Sequence, residues 1–176
     1  MPVPLIDLTR NKNQLAEVEA AVVRVVRSGQ YILGPEVENL ERELEKYLGV
    51  RHAITMSSGT DALLAPLMAL GIGPGDEVVL PTYSFFATAG VVARLGATPV
   101  FVDVEPVWKN IDPQQLDEAL QRCKQPKAVM AVHLFGAAFD VAAITAICRK
   151  HSVPLIEDAA QAIGTKYKGR MLGGEG

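Results

Sequence analysis

An α/β fold, with a mostly parallel sheet and helices on both faces, is what this sequence predicts, and three observations carry that expectation. Short runs rich in Val, Ile and Leu recur along the chain. Longer stretches with helical periodicity separate them. Conspicuous polar residues follow nearly every run, as they do where ligands bind beyond the carboxyl ends of parallel strands. Strands apolar on both sides belong to sheets whose crossovers are helices.

The elements follow in order. Leu15, Val18, Val22, Val25 and Val26 recur at helical spacing, and Ser28-Gly29 ends the pattern. Gly34-Pro35-Glu36 opens a second helix with proline in its first turn, which runs through Val37, Leu40, Leu44 and Leu48 to Gly49. Residues 1–50 thus read as a helical lead-in, and the β/α units occupy 51–176. Residues 52–56 predict a first strand, followed by Ser57-Ser58-Gly59-Thr60 and a helix over 61–70. Residues 77–80 predict the second strand, then Pro81-Thr82-Tyr83-Ser84 and a helix ending near Leu95. A third strand over 99–102 ends at Asp103. Asp112-Pro113 then opens a helix whose N-cap Asp and Gln115 form a capping-box pattern. The fourth strand spans 128–132. Asp140 caps a helix to about Lys150, and a fifth strand over 153–156 leads to Glu157-Asp158. No repeat, low-complexity stretch or linker interrupts this alternation.

Composition narrows the function classes. The chain has 176 residues, 49% of them hydrophobic and 21% charged, which excludes intrinsic disorder. Lys and Arg number 17 against 20 Asp and Glu, for a net charge of −3, so no surface is built for nucleic acid or anionic lipid. No run of uncharged apolar residues is long enough to span a membrane, and the first residues lack a signal peptide's layout. Cys123 and Cys148, without a CxxC spacing, read as free buried thiols in a reducing compartment, hence a cytoplasmic protein. Three scattered histidines give no metal spacing.

The polar residues carry the chemistry. Gly71-Ile72-Gly73-Pro74-Gly75 follows a helix and precedes a strand, the reverse of a dinucleotide-binding turn, and no P-loop occurs. Ser57-Ser58-Gly59-Thr60-Asp61 is a small-residue turn into a helix: either a plain N-capped start or a cradle of backbone N–H groups for a phosphate. Asp158 closes an apolar strand, as a buried hydrogen-bonder or as the partner of a cation. Taken together they describe a phosphorylated cofactor with a cationic far end. Pyridoxal 5′-phosphate meets that description, with its phosphate at Gly59-Thr60, its ring nitrogen at Asp158, and Phe85 or Phe86 stacked on the ring.

Five ordered motifs add a resemblance. Ser57-Ser58-Gly59-Thr60-Asp61-Ala62-Leu63 and Gly73-Pro74-Gly75-Asp76-Glu77-Val78 are followed by Gly96-Ala97-Thr98-Pro99-Val100-Phe101-Val102-Asp103. Val132-His133-Leu134-Phe135-Gly136 and Ile156-Glu157-Asp158-Ala159-Ala160-Gln161 complete the series. The set resembles the DegT/DnrJ/EryC1/StrS family over about residues 6–174. These are pyridoxal-phosphate-dependent aminotransferases of nucleotide-linked keto-sugars, with the type I aspartate-aminotransferase fold. The resemblance implies a phosphate site at Gly59, Thr60 and Asp61, a ring-covering aromatic at Phe85, and a pyridine-nitrogen partner at Asp158. It places Gln161 near the cofactor's ring hydroxyl and Tyr31 and Gly34 along the sugar site. His133 reads as a structural hydrogen-bonder at a strand end rather than a base.

The family's cofactor-bonding lysine lies in a segment resembling S-F-x-x-x-K-x-x-x-x-G-x-G, expected shortly after Gly176. Lys166 and Lys168 alternate with turn residues as on a solvated hairpin, where a hydrated ammonium is a poor imine former. The 176 residues are therefore expected to be the first part of a longer enzyme, part of its large domain with the small domain absent, and MLGGEG to be a cut. The resemblance implies transfer of an amino group from Glu or Gln to the keto-sugar, in a homodimer, with this portion inactive by itself. It also covers relatives that carry histidine for the lysine and dehydrate the sugar, and non-catalytic regulatory members.

Overall fold

A computed structural model describes residues 12–174. The start of the family resemblance at Ile6 and the last two residues of MLGGEG lie outside the described residues. Two compact units make up the chain, 1–43 and 44–176.

In the first unit, α1 (Lys12–Ser28) stops where Gly29 turns left-handed at φ +69° and the Ser28 hydroxyl donates to Val25 O at 2.8 Å. Its stripe of Leu15, Val18, Val22 and Val26 is more than half exposed, at 53–59%. α2 (Pro35–Leu48), whose last five residues count with the second unit, begins with a residue that needs no N–H, and Glu36 and Glu38 face the positive end of its dipole. Gly34 is required before it: a Cβ there would stand 2.7 Å from Gln30 O.

The second unit is the sheet and its helices. β1 (Glu77–Pro81), β2 (Thr98–Val102), β3 (Pro126–Val132) and β4 (Leu155–Asp158) form one four-stranded parallel sheet in the order β2-β1-β3-β4. Alternation along the strands divides the core in two. Val78, Leu80, Ala128 and Met130 pack with α3 (Gly59–Ala69) and α4 (Ala87–Arg94) through Leu63, Leu67, Val91 and Val92. Val79, Val129 and Ala131 pack with α5 (Pro113–Arg122) and α6 (Val141–His151) through Leu116, Leu120, Ile144 and Cys148. Burial in this second cluster pushes the Cys148 thiol up to about 11, and both cysteines are free. The short antiparallel pair β5 (Lys166–Tyr167) and β6 (Arg170–Met171) follows β4. The order of the strands reverses at β1: the chain steps to β2 on one side, then returns to β3 and β4 on the other. Such a reversal opens a crevice at the carboxyl edge.

Several expected boundaries move. Residues 52–56 belong to neither sheet among the described residues, because composition makes a strand only where a ladder takes the segment in, and the four-stranded ladder is built from β1 to β4. α3 starts two residues early, since Ser58 is its cap: the Ser58 hydroxyl accepts from Asp61 N at 3.1 Å. β4 is shifted forward and includes Glu157 and Asp158. Val153 N–H is spent on Cys148 O behind the left-handed Ser152, and Pro154 has no N–H, so the strand proper begins at Leu155 opposite Val129. Asp112 does cap α5, accepting from Gln115 N at 3.0 Å. Its own N–H goes to Asp103 O at 3.2 Å, so the reciprocal arm of the capping box is not made.

Leu116 is fully buried, so Leu116→Ala is expected to cost about 3 kcal/mol. Asp112→Ala should cost about 1 kcal/mol, both read as shifts in the urea midpoint at constant slope. Acid sensitivity has a source at Asp140, whose carboxylate caps α6 through Ala143 N at 3.1 Å and accepts from the Tyr167 hydroxyl at 2.9 Å. The Ala143 N–H, then the Tyr167 hydroxyl, holds this carboxyl below the usual range. Its stabilisation is present above about pH 4 and is lost as pH falls through the folded value. Asp140→Asn should therefore lower the urea midpoint at neutral pH and flatten its decline on acidification.

Candidate active site

A cavity of about 340 Å³ opens at the carboxyl edge of β1, β3 and β4, within the size range of small-molecule sites. Four segments meet there: the start of α3, the turn after β1, the end of β3, and the end of β4 with the residues after it.

The start of α3 contributes Gly59 and Thr60, whose first-turn N–H groups have no acceptor inside the helix. Asp61 stands aside from the lining. Its carboxylate accepts from the Ser57 hydroxyl and, at 3.1 Å, from the Ser58 hydroxyl, while its N–H is donated back to Ser58. The Ser57 hydroxyl, then that of Ser58, holds the Asp61 carboxyl below its ordinary range. Asp61 thus shapes the helix start.

The turn after β1 decides between the two phenylalanines. Phe85 lines the cavity with its ring 75% exposed. Phe86 turns onto α4, so close to Gly90 that a Cβ there would lie 2.9 Å from its Cε1. Ser84 also lines the cavity, sharing a hydrogen bond of 2.9 Å with the buried Thr88 hydroxyl.

At the end of β3, His133 is completely buried and lines the cavity. Phe139 N donates to its Nδ1 at 3.3 Å, which places the ring proton on Nε2, 3.0 Å from Glu157 Oε2. The ring also stacks flat on Phe139, centroids 4.1 Å apart. With both nitrogens engaged, the imidazole has no lone pair left for a base. Successive residues of β4 face opposite ways, so Glu157 serves His133 while Asp158 faces the cavity.

Asp158 is buried, and Ala160 N donates to its Oδ1 at 3.1 Å. Its Oδ2 has no partner among the described residues. Asp158 lines the cavity, so a cation or donor bound there can meet that oxygen. Gln161 lines the same cavity, and its Oε1 accepts from Phe135 N at 3.1 Å, which turns the amide Nε2 to the remaining side. Phe135 holds the left-handed conformation, φ 55° and ψ 22°, a cost of roughly 1–2 kcal/mol for a residue with a Cβ.

Gly59, Thr60, Phe85, Asp158 and Gln161 are thus brought together, and Asp61 only adjoins them. Tyr31 and Gly34 belong to the first unit, where they share a depression of about 490 Å³ with residues 29–35 and Glu38. Tyr31 donates its hydroxyl to Val26 O at 3.0 Å. Lys166 and Lys168 are exposed on the hairpin, the latter 5.0 Å above the Tyr167 ring, and neither lines the cavity. Sequence reasoning passed over the buried Glu157–His133 pair. Its signal was the doubled carboxylate Glu157-Asp158, of which only one side chain can face a ligand. The set offers an anion site at a helix start, a carboxylate oxygen left free for a cation, and an aromatic face. No cluster of metal-ligating side chains occurs among the described residues, and no helix there is long and apolar enough to cross a membrane.

Comparison with known proteins agrees with that chemistry. The chain is 46% identical to a protein of Geobacillus stearothermophilus named pleiotropic regulatory protein, covering 98% of this chain and 46% of the relative. It is 47% identical to a UDP-2-acetamido-2-deoxy-3-oxo-D-glucuronate aminotransferase of Pseudomonas aeruginosa, covering 94% of this chain and 47% of that enzyme. Among solved structures, a Bacillus subtilis protein, NtdA, with bound cofactor PMP superposes with a TM-score of 0.88 at 36% identity, over 95% of this chain and 38% of that one. The chain spans about half the length of the curated relatives it matches. The profile of the DegT/DnrJ/EryC1/StrS aminotransferase family matches residues 12–176, and the chain belongs to that family.

Proposed function

We propose that this chain holds pyridoxal 5′-phosphate and serves the transfer of an amino group from Glu or Gln to a nucleotide-linked keto-sugar, in a cytoplasmic homodimer. The observation that carries the reading is one cavity containing both the helix start at Gly59-Thr60 and the unmatched oxygen of the buried Asp158. The residues fit the cofactor end to end. Bound there, pyridoxal phosphate supplies an electron sink for chemistry at the amino-bearing carbon. The N–H groups of Gly59 and Thr60 and the Thr60 hydroxyl bind the phosphate, aided by the helix dipole. Asp61 keeps that start in place through Ser57 and Ser58. Asp158 Oδ2 holds a proton at the ring nitrogen, and its negative charge keeps that nitrogen protonated at neutral pH. Phe85 covers one ring face and excludes water from it. Gln161 Nε2 donates to the ring hydroxyl oxygen. Tyr31 and Gly34 are assigned to the sugar's side of the site, and residues 51–176 to a portion of the cofactor-holding domain.

A purely regulatory role draws on the name of the Geobacillus relative. Retention of Thr60, Phe85 and Asp158 together favours cofactor binding instead.

Calorimetric titration of the 176-residue chain with pyridoxal phosphate tests the assignment. Asp158→Asn should weaken binding by roughly 10–100-fold, the scale of a hydrogen bond between charged groups. Thr60→Val should weaken it roughly 2–10-fold. Absence of binding by the unmodified chain at millimolar cofactor would overturn the reading. Borohydride treatment of the cofactor-soaked chain should leave no stoichiometric adduct by mass spectrometry, because Lys166 and Lys168 lie outside the cavity.

A further inference from the structure

We infer that the exposed rings of Tyr83 and Phe135 form an aromatic wall beside the cofactor cavity, positioned by Gln161, against which the apolar C–H face of the substrate's sugar ring packs. The inference rests on the proposed function, whose substrate is a nucleotide-linked sugar.

The argument starts from backbone strain. Phe135 is left-handed, at φ 55° and ψ 22°, and Gly136 after it is left-handed too, at φ +79°. A turn that served only to reverse the chain would carry Gly or Asn at both positions. An aromatic residue there persists only where its surroundings over-determine it. They do. Gln161 Oε1 accepts from Phe135 N, Asn110 Oδ1 accepts from Leu134 N at 3.3 Å, Asn110 Nδ2 donates to Ala137 O at 3.1 Å, and the Thr165 hydroxyl donates to Gly136 O at 3.1 Å. Side chains from two distant segments, Asn110 on one and Gln161 and Thr165 on the other, thus pin one short turn.

The strained residue gains little packing in return. The Phe135 ring is 70% exposed and meets Tyr83, itself 52% exposed, edge to face at 6.4 Å and 62°. Two large aromatics left exposed side by side, one of them on a pinned turn, are contact surface awaiting a ligand. Their place says which ligand. Each is the chain neighbour of a residue lining the cavity, Ser84 for Tyr83 and Leu134 for Phe135, and Gln161 both lines the cavity and holds the Phe135 amide. A wall there faces the group that reacts at the cofactor, which is the sugar rather than the nucleotide. An aromatic face suits the ring hydrogens of a pyranose, leaving its hydroxyls free for polar partners.

Calorimetry on the 176-residue chain with three probes tests this: pyridoxal phosphate, UDP-N-acetylglucosamine and UDP. Phe135→Gly keeps the left-handed turn and removes the ring. It should bind pyridoxal phosphate as the unmodified chain does and UDP unchanged, yet lose roughly five- to tenfold in affinity for UDP-N-acetylglucosamine, with Tyr83→Ala behaving alike. Gln161→Leu should speed hydrogen exchange at the Phe135 amide and lose sugar affinity with it. Gln161→Glu keeps the acceptor, so the amide stays protected and the sugar affinity stays, while cofactor affinity falls. Unchanged UDP-N-acetylglucosamine binding in Phe135→Gly and Tyr83→Ala, with the cofactor still bound, overturns the wall alone. Equal losses for UDP overturn it too. An unmodified chain that binds the cofactor but not UDP-N-acetylglucosamine overturns the wall; one that binds neither overturns wall and proposed function together.

Discussion

The ladder between β3 and β4 runs to the last residue of both strands, Val132 opposite Asp158, and His133 N–H extends it by donating to Asp158 O at 3.0 Å. The polar residues at the ends of β3 and β4 depend on that shared end. It places the Asp158 carboxylate at the sheet's rim, and it turns Glu157 to the side where His133 waits. It also sets where β3 gives way to the pinned turn of Leu134–Gly136. A slip of one residue would send Asp158 and Glu157 to each other's faces. The interdigitated cores on both sides of the sheet make such a slip prohibitive, because Val129 and Met130 would exchange clusters with it.

Stability and chemistry pull against each other at this rim. The central strands are buried on both faces, which is the cheapest state for a parallel sheet. The rim carries the opposite features: a buried carboxylate with one oxygen unmatched, a buried histidine–glutamate pair, and an aromatic residue in left-handed backbone. The free carboxylate oxygen and the left-handed phenylalanine mark where stability has been given up, whereas the histidine–glutamate pair is satisfied at both ring nitrogens.

The sheet, its parallel sense and most helices could be read from apolar periodicity and from Asp112 and Asp140, which do cap α5 and α6. Periodicity is a property of the segment itself. What escaped depends on other segments. Residues 52–56 have a strand's composition and join neither sheet; β4 begins late because the close of α6 consumes the Val153 amide. At the site, Gly59, Thr60, Phe85, Asp158 and Gln161 were legible as motif positions, and they do line one cavity. That Phe86 would turn onto Gly90, that Asp61 would be absorbed by two serines, and that His133 would spend both nitrogens were not legible. Each is settled by contacts made only after folding.

The Gln161 amide, with its oxygen turned to Phe135 N and its nitrogen left for the cavity, bears on which residues evolution can place there. The position needs an acceptor on one side and a donor on the other, a short fixed distance apart. Glutamine meets that need, and so does a neutral imidazole, one ring nitrogen accepting and the other donating. Glutamate lacks the donor, lysine lacks the acceptor, and leucine lacks both. The substitutions tolerated at this residue are thus governed in part by a backbone proton that lies 26 positions earlier in the chain.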